Sequence, residues 1–150
     1  MATWHATGAE VGRTYFLALL AEVYRKAGQI EEGRSVLAEA LALVEKTGER
    51  FYEAEIYRLK GEMMFQSTGQ GQGTGAEEAQ ACFLKSIEVA CQQQAKSLEL
   101  RAVTSLARLW QQQGKKVEAR QLLAEIYGWF TEGFDTKDLQ EAKALLAELI

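Results

Sequence analysis

The stretch LRAVTSLARLWQQQGKKVEARQLLAEIY, Leu100–Tyr127, decides the fold. Val103, Leu106, Ala107 and Trp110 fall at i, i+3, i+4 and i+7, the spacing of a helix with one apolar face. Gly114 breaks that stripe, and Ala119, Leu123 and Ile126 begin another. Two striped helices separated by a glycine fold back on each other as a hairpin.

The same grammar occurs twice upstream. Met1–Gly8, MATWHATG, reads as the tail of a helix that ends at a glycine. A strong helix runs from about Arg13 to Ala27 and closes at Gly28; its partner runs from Ile30 to about Thr47 and closes at Gly48. A third helix spans about Arg50 to Ser67, and a fourth about Ala76 to Gln94, with Glu77 and Glu78 in its first turn, where negative charge suits the helix dipole. Between them lies TGQGQGTG, residues 68–75, read as a flexible insert. Gly128–Gly133 leads to a last helix from Asp135 or Thr136, either of which suits the cap position, to Leu149. No stretch alternates as a strand does. The expectation is one all-α domain over residues 1–150, with hairpins at about 13–47, 50–94 and 96–127 and a capping helix at about 136–149.

The hairpins repeat in register. The first helices give Leu17, Leu20, Ala21, Tyr24, then Tyr57, Lys60, Gly61, Met64, then Val103, Leu106, Ala107, Trp110. The second helices give Gly33 with Leu37, Ala79 with Phe83, and Ala119 with Leu123. A small residue lets the partner helix approach, and a large one a turn later fills the remaining space. Such recurrence predicts a stack of hairpins rather than an irregular bundle.

These positions resemble the tetratricopeptide pattern, W-x2-L-G-x2-Y in the first helix and A-x3-F in the second. Lys60 departs from it, no closing proline occurs, and the small residues lie 40 and 46 apart instead of the usual 34. The phrases YFLALLAEVYRKAGQ, ERFYEAEIYRLKGE, AKSLELRAVTSLARLW and YGWFTEGFDTKDLQEAKALL resemble the C-terminal tetratricopeptide regions of bacterial signal-transduction ATPases, class III nucleotide cyclases and LuxR-type regulators. The resemblance implies a right-handed superhelical stack, a tetratricopeptide-like α-solenoid, serving as the regulatory arm of a larger signalling protein. The ATPase and cyclase domains of that family have no counterpart in these residues.

Bulk properties narrow the classes. The 47% apolar and 25% charged fractions are those of an ordinary globular chain. No apolar run approaches the length of a membrane span, and no signal-peptide layout is present. A net charge of −4 counts against a general nucleic-acid surface. Cys82 and Cys91 lie nine apart on one helix and so face opposite ways, which excludes their pairing and points to a reduced, cytoplasmic setting.

The first helices of stacked hairpins line a concave face. The residues not used for packing there are Tyr15, Ala18, Glu22 and Arg25, then Glu55, Arg58, Glu62 and Phe65, then Arg101, Thr104, Arg108 and Gln111. An arginine in every row suits a protein or peptide partner of acidic character, because a guanidinium can hold a carboxylate with two hydrogen bonds. The competing reading is a solvated, self-neutralised face in which Glu55 and Glu62 satisfy Arg58. A small-molecule effector on the same surface is the alternative function. The asparagine-and-lysine clamp of chaperone-binding relatives is not expected, since the chain has no asparagine. Phe16, Leu19 and Val23 form an uncapped apolar face on the first helix, to be covered by neighbouring domains of a longer parent chain or in a homodimer.

Enzymatic chemistry is not expected. GQGQGTG lacks the Lys-Ser/Thr pair of a phosphate-binding loop and follows a helix instead of a strand. His5 is the only histidine and has no ligand-spaced neighbours, so neither a zinc site nor a histidine triad is expected. Glu31–Glu32 and Glu77–Glu78 read as first-turn charges. Trp129, Phe130 and Phe134 are expected to pack the last helix, with no catalytic, cofactor or metal-binding residue assigned.

Overall fold

A computed structural model describes residues 9–48, 50–68 and 74–150. The helical tail expected at Met1–Gly8, together with His5 and most of the glycine-rich insert, lies outside them. The described residues form seven helices and no strands: α1 (Ala9–Lys26), α2 (Ile30–Thr47), α3 (Glu53–Thr68), α4 (Thr74–Gln92), α5 (Lys96–Gln112), α6 (Lys116–Tyr127) and α7 (Lys137–Glu148). The chain is all-α, as its periodicity requires.

Glycine ends helices where the backbone must turn left. Gly28, Gly48 and Gly114 have φ of +78°, +74° and +81°, a region open to glycine at little cost. The turn from α4 to α5 departs from that rule, for Gln94 takes φ of +54° there. Two boundaries differ from expectation. The first helix starts at Ala9 instead of Arg13, because Gly12 is tolerated inside a helix at a cost of about 1 kcal/mol. The fourth starts at Thr74, so the last two residues of the expected insert are helical. Thr136 occupies the cap position of α7 but makes no side-chain cap bond.

Consecutive helices pack in order, α1 on α2 through to α6 on α7. In addition α1 touches α3, α3 touches α5, and α5 touches α7, whereas α2, α4 and α6 do not meet one another among the described residues. Ala21 and Ala107 are fully buried, and Gly61 is buried against α4. A Cβ on Gly61 would stand 2.6 Å from the Phe83 ring, and one on Gly33 would stand 2.6 Å from the Met63 methyl. Small residues therefore do admit large ones at the helix crossings.

The buried residues gather in clusters along these contacts. Leu17, Ala21, Leu37, Ala40, Val44, Ile56, Leu59 and Met63 join α1, α2 and α3. Phe83 with Leu106 and Leu109 joins α4 to α5. Leu100, Val103, Ala119, Leu123, Leu139, Ala142 and Leu145 join α5, α6 and α7. Burial of a leucine-sized side chain stabilises by about 2 kcal/mol, so these layers hold the helices in place. At the link to α7, only Phe130 packs against the core; Trp129 and Phe134 stay 58% and 45% exposed, contrary to expectation. Trp129 stacks edge-on to Phe130 instead, with the Lys96 ammonium 5.4 Å from the Trp129 ring.

Candidate functional site

The odd-numbered helices all run the same way, as their cross-contacts show. Tyr15 meets Tyr52 at one end of α1 and α3, while the Gln66 amide donates to the Arg25 carbonyl at the other. Arg101 reaches Glu55, and Arg58 lies 3.4 Å from the Ser105 hydroxyl, so α3 and α5 are parallel. Arg101 to Asp138 and Gln111 to Glu148 set α7 in the same direction.

Their shared face forms a cleft of about 760 Å³. It collects ten of the twelve residues singled out from sequence: Tyr15, Ala18, Glu22, Arg25, Glu55, Arg58, Glu62, Arg101, Thr104 and Arg108. Phe65 does not; its ring packs toward Ala76, Ala79 and Phe83, where an apolar side chain gains more than at a charged rim. Gln111 does not line it either, because its amide donates to Glu148 at 3.2 Å. Sequence reasoning missed Tyr52, Lys26, Ser97, Leu98 and the residues of α7, namely Lys137, Asp138 and Glu141. The signal was available: α7 follows α6 as α3 follows α2, so its first turns face the cleft instead of simply capping the core.

The two ends of the cleft differ. Tyr15, Tyr52, Leu98 and Leu19 give one end an aromatic and aliphatic lining, with the two tyrosine rings 4.9 Å apart. Phe51 extends this cluster, its ring 5.0 Å from that of Tyr52. Ten residues further along each helix come Arg25 with Lys26, Glu62, and Arg108. That offset corresponds to about 15 Å of helix.

The charges of the cleft are paired unequally. Arg25 holds Glu22 with two nitrogens at 3.0 and 2.7 Å. Arg58 bonds Glu55 and stands 3.9 Å from Glu62. Arg101 bridges Glu55 on α3 at 2.7 Å and Asp138 on α7 at 2.8 Å. Three cations are held more loosely: Arg108 at 3.5 Å and Lys137 at 3.8 Å from Glu141, and Lys26 at 3.8 Å from Glu22. Six cations thus face five carboxylates, leaving a slight positive excess. The self-neutralised reading describes the centre of the cleft, and Arg108 and Lys26 mark its far end, whereas Lys137 opens α7 near the level of Leu98.

Titration behaviour follows from this pairing. Burial pushes the Glu55 carboxyl up, but Arg58 and Arg101 more than reverse it and hold it below the ordinary glutamate range. Glu22 is likewise lowered, with Arg25 overcoming the effect of burial. Burial disfavours the Arg58 and Arg101 charges, yet their carboxylate partners raise both pKa values. Arg25 is raised chiefly by its hydrogen bond to Glu22. Every resolved shift in the cleft favours the charged form. A general acid or base at neutral pH requires a carboxyl pushed up or a cation pushed down, and none of these groups moves that way.

Among the described residues no cluster of three His, Cys, Asp or Glu side chains could hold a metal ion, and no helix is long and apolar enough to cross a membrane. Both cysteines are free, Cys82 buried and Cys91 exposed. A scan against protein-family models found none that matches the chain, and a search of curated proteins likewise found no match.

Proposed function

We propose that the chain is a non-enzymatic interaction module of tetratricopeptide type, with its hairpins stacked as a solenoid, acting as the regulatory arm of a larger bacterial signalling ATPase, cyclase or transcription regulator. Its cleft binds an extended peptide segment of a protein partner. The observation that carries the reading is the cleft lined by four parallel helices, apolar at one end and cationic at the other. A span of about 15 Å is covered by four or five extended residues, at about 3.3 Å each. The matching segment therefore carries an aromatic or large aliphatic side chain and, four or five residues on, a carboxylate. The first enters between Tyr15, Tyr52 and Leu98; the second meets Arg108 and Lys26.

The test is a fluorescence titration with a labelled peptide carrying tryptophan and aspartate five residues apart. Arg108→Glu with Lys26→Glu should weaken binding at least tenfold while leaving the helical circular dichroism unchanged. Equal affinity of the double variant and wild type would remove the cleft as the binding site. Arg58 is the wrong residue to reverse, because a carboxylate there would face Glu55 and Glu62 and destabilise the fold.

A second reading draws on the cleft volume, which lies within the ordinary range for small-molecule pockets. Under it, a compact effector bearing an aromatic ring and an acid occupies the same two ends. A screen of such compounds by thermal shift, repeated on the double variant, separates the two readings.

A further inference from the structure

α1 carries a second surface, of which the cleft uses only Leu19. Ala21, Gly61 and Ala107 hold one position in successive hairpins, so Phe16, Leu19 and Val23 correspond to Ile56, Leu59 and Met63 on α3 and to Ala102, Ser105 and Leu109 on α5. The six residues on α3 and α5 are at most 2% exposed. The α3 set packs with Leu37, Ala40 and Val44 of α2, and Leu109 packs with Ala79 and Phe83 of α4. On α1 the same three positions are 60%, 48% and 61% exposed. Gly12, one turn earlier, has open space where a Cβ would stand.

The repeat itself states what fits such a face. In each buried case the cover is a second helix that carries a small residue and, four positions on, a large one: Gly33 and Leu37 in α2, Ala79 and Phe83 in α4. Gly33 lies directly under the Met63 side chain, whose place on α1 is taken by Val23. We propose that Phe16, Leu19 and Val23 dock an amphipathic helix of this small-x3-large design, supplied by a partner and seated on α1 as α2 is seated on α3. A second copy of the chain cannot supply it, since the corresponding faces of its α2, α4 and α6 are already buried against α3, α5 and α7.

The test uses the full chain and, as probe, a synthetic peptide of residues 29–48, the α2 sequence itself. A lactam joining the side chains introduced by Ala38→Glu and Ala42→Lys, both on its exposed side, holds it helical. Titration into isotope-labelled chain should shift the Val23 methyl signals to saturation. Phe16→Glu with Val23→Glu should weaken binding at least tenfold; both sites are exposed and outside the cleft, so the variant keeps its helical circular dichroism. A peptide with Leu37→Glu should not bind. Absence of saturation at millimolar peptide, undiminished binding to the double variant, or a chain already dimeric through α1 before peptide is added would each overturn the proposal.

Discussion

Gly33 and Gly61 are both small residues beneath a bulky neighbour, yet the two sites should answer substitution differently. A Cβ on Gly61 meets two carbons of the Phe83 ring at 2.6 and 2.7 Å, with the Ala79 carbonyl at 3.1 Å behind it. Phe83 is fully buried, so its ring has nowhere to go. Alanine gains about 1 kcal/mol in helix propensity, whereas overpacking a core costs about 1–3 kcal/mol. Gly61→Ala should therefore lower stability by about 1 kcal/mol. At Gly33 the obstructing atoms are the Met63 methyl and sulfur, the far end of a flexible side chain. Gly33→Ala should change stability by less than about 1 kcal/mol, because propensity and adjustment nearly cancel. Urea unfolding of both variants decides it, and a loss at Gly33 as large as that at Gly61 would contradict the distinction. The sequence marked both glycines as small partners in a repeating pattern. It could not say which atoms face them, because that depends on how neighbouring helices are offset along their axes.

Three helices meet electrostatically at Glu55, whose carboxylate takes Arg58 of its own helix and Arg101 of α5, while Arg101 continues to Asp138 of α7. Glu55 and Arg58 are only 12% and 15% exposed, so removing the carboxylate leaves buried positive charge. Glu55→Gln should cost about 3 kcal/mol at pH 7. The pH dependence has a definite sign. A carboxyl whose folded pKa lies below its unfolded value contributes stability fully above the unfolded pKa, about 4.3 for glutamate, and loses it as pH falls through the folded value. Wild type should hold its urea midpoint from pH 7 to about 5 and lose it steeply below about pH 4. The Glu55→Gln midpoint should fall less over the same acid range, and parallel curves would show that Glu55 is not a source of the dependence. Arg58 with Glu55 and Glu62 was legible as a helical pair at i, i±3 or 4. The bridge to Asp138 was not, because it joins residues 37 positions apart whose contact exists only once α7 has docked.

For the molecule as a whole, the two cysteines report on cooperativity. Cys82 is 8% exposed on α4, with its sulfur 4.0 Å from that of Met64, while Cys91 is exposed on the same helix. Burial pushes both thiols up, so neither is activated for reaction. In native buffer a disulfide reagent should modify one thiol slowly, and the second only as urea unfolds the chain. If α4 opens independently of the other helices, Cys82 will react well below the unfolding midpoint seen by circular dichroism. Most of the architecture was legible from apolar spacing and glycine punctuation, since both are local properties. Ten of the twelve residues read onto one face of the first helices line the cleft. Its closing wall on α7 was not legible, because that wall depends on how far the helix succession continues. The bridge from Arg101 to both Glu55 and Asp138 carries a consequence for descent. Loss of that guanidinium takes from Asp138 the arginine that holds it, while Glu55 keeps Arg58, so in lineages diverging from this chain Arg101 and Asp138 should mutate jointly, with Glu55 persisting wherever Arg58 does.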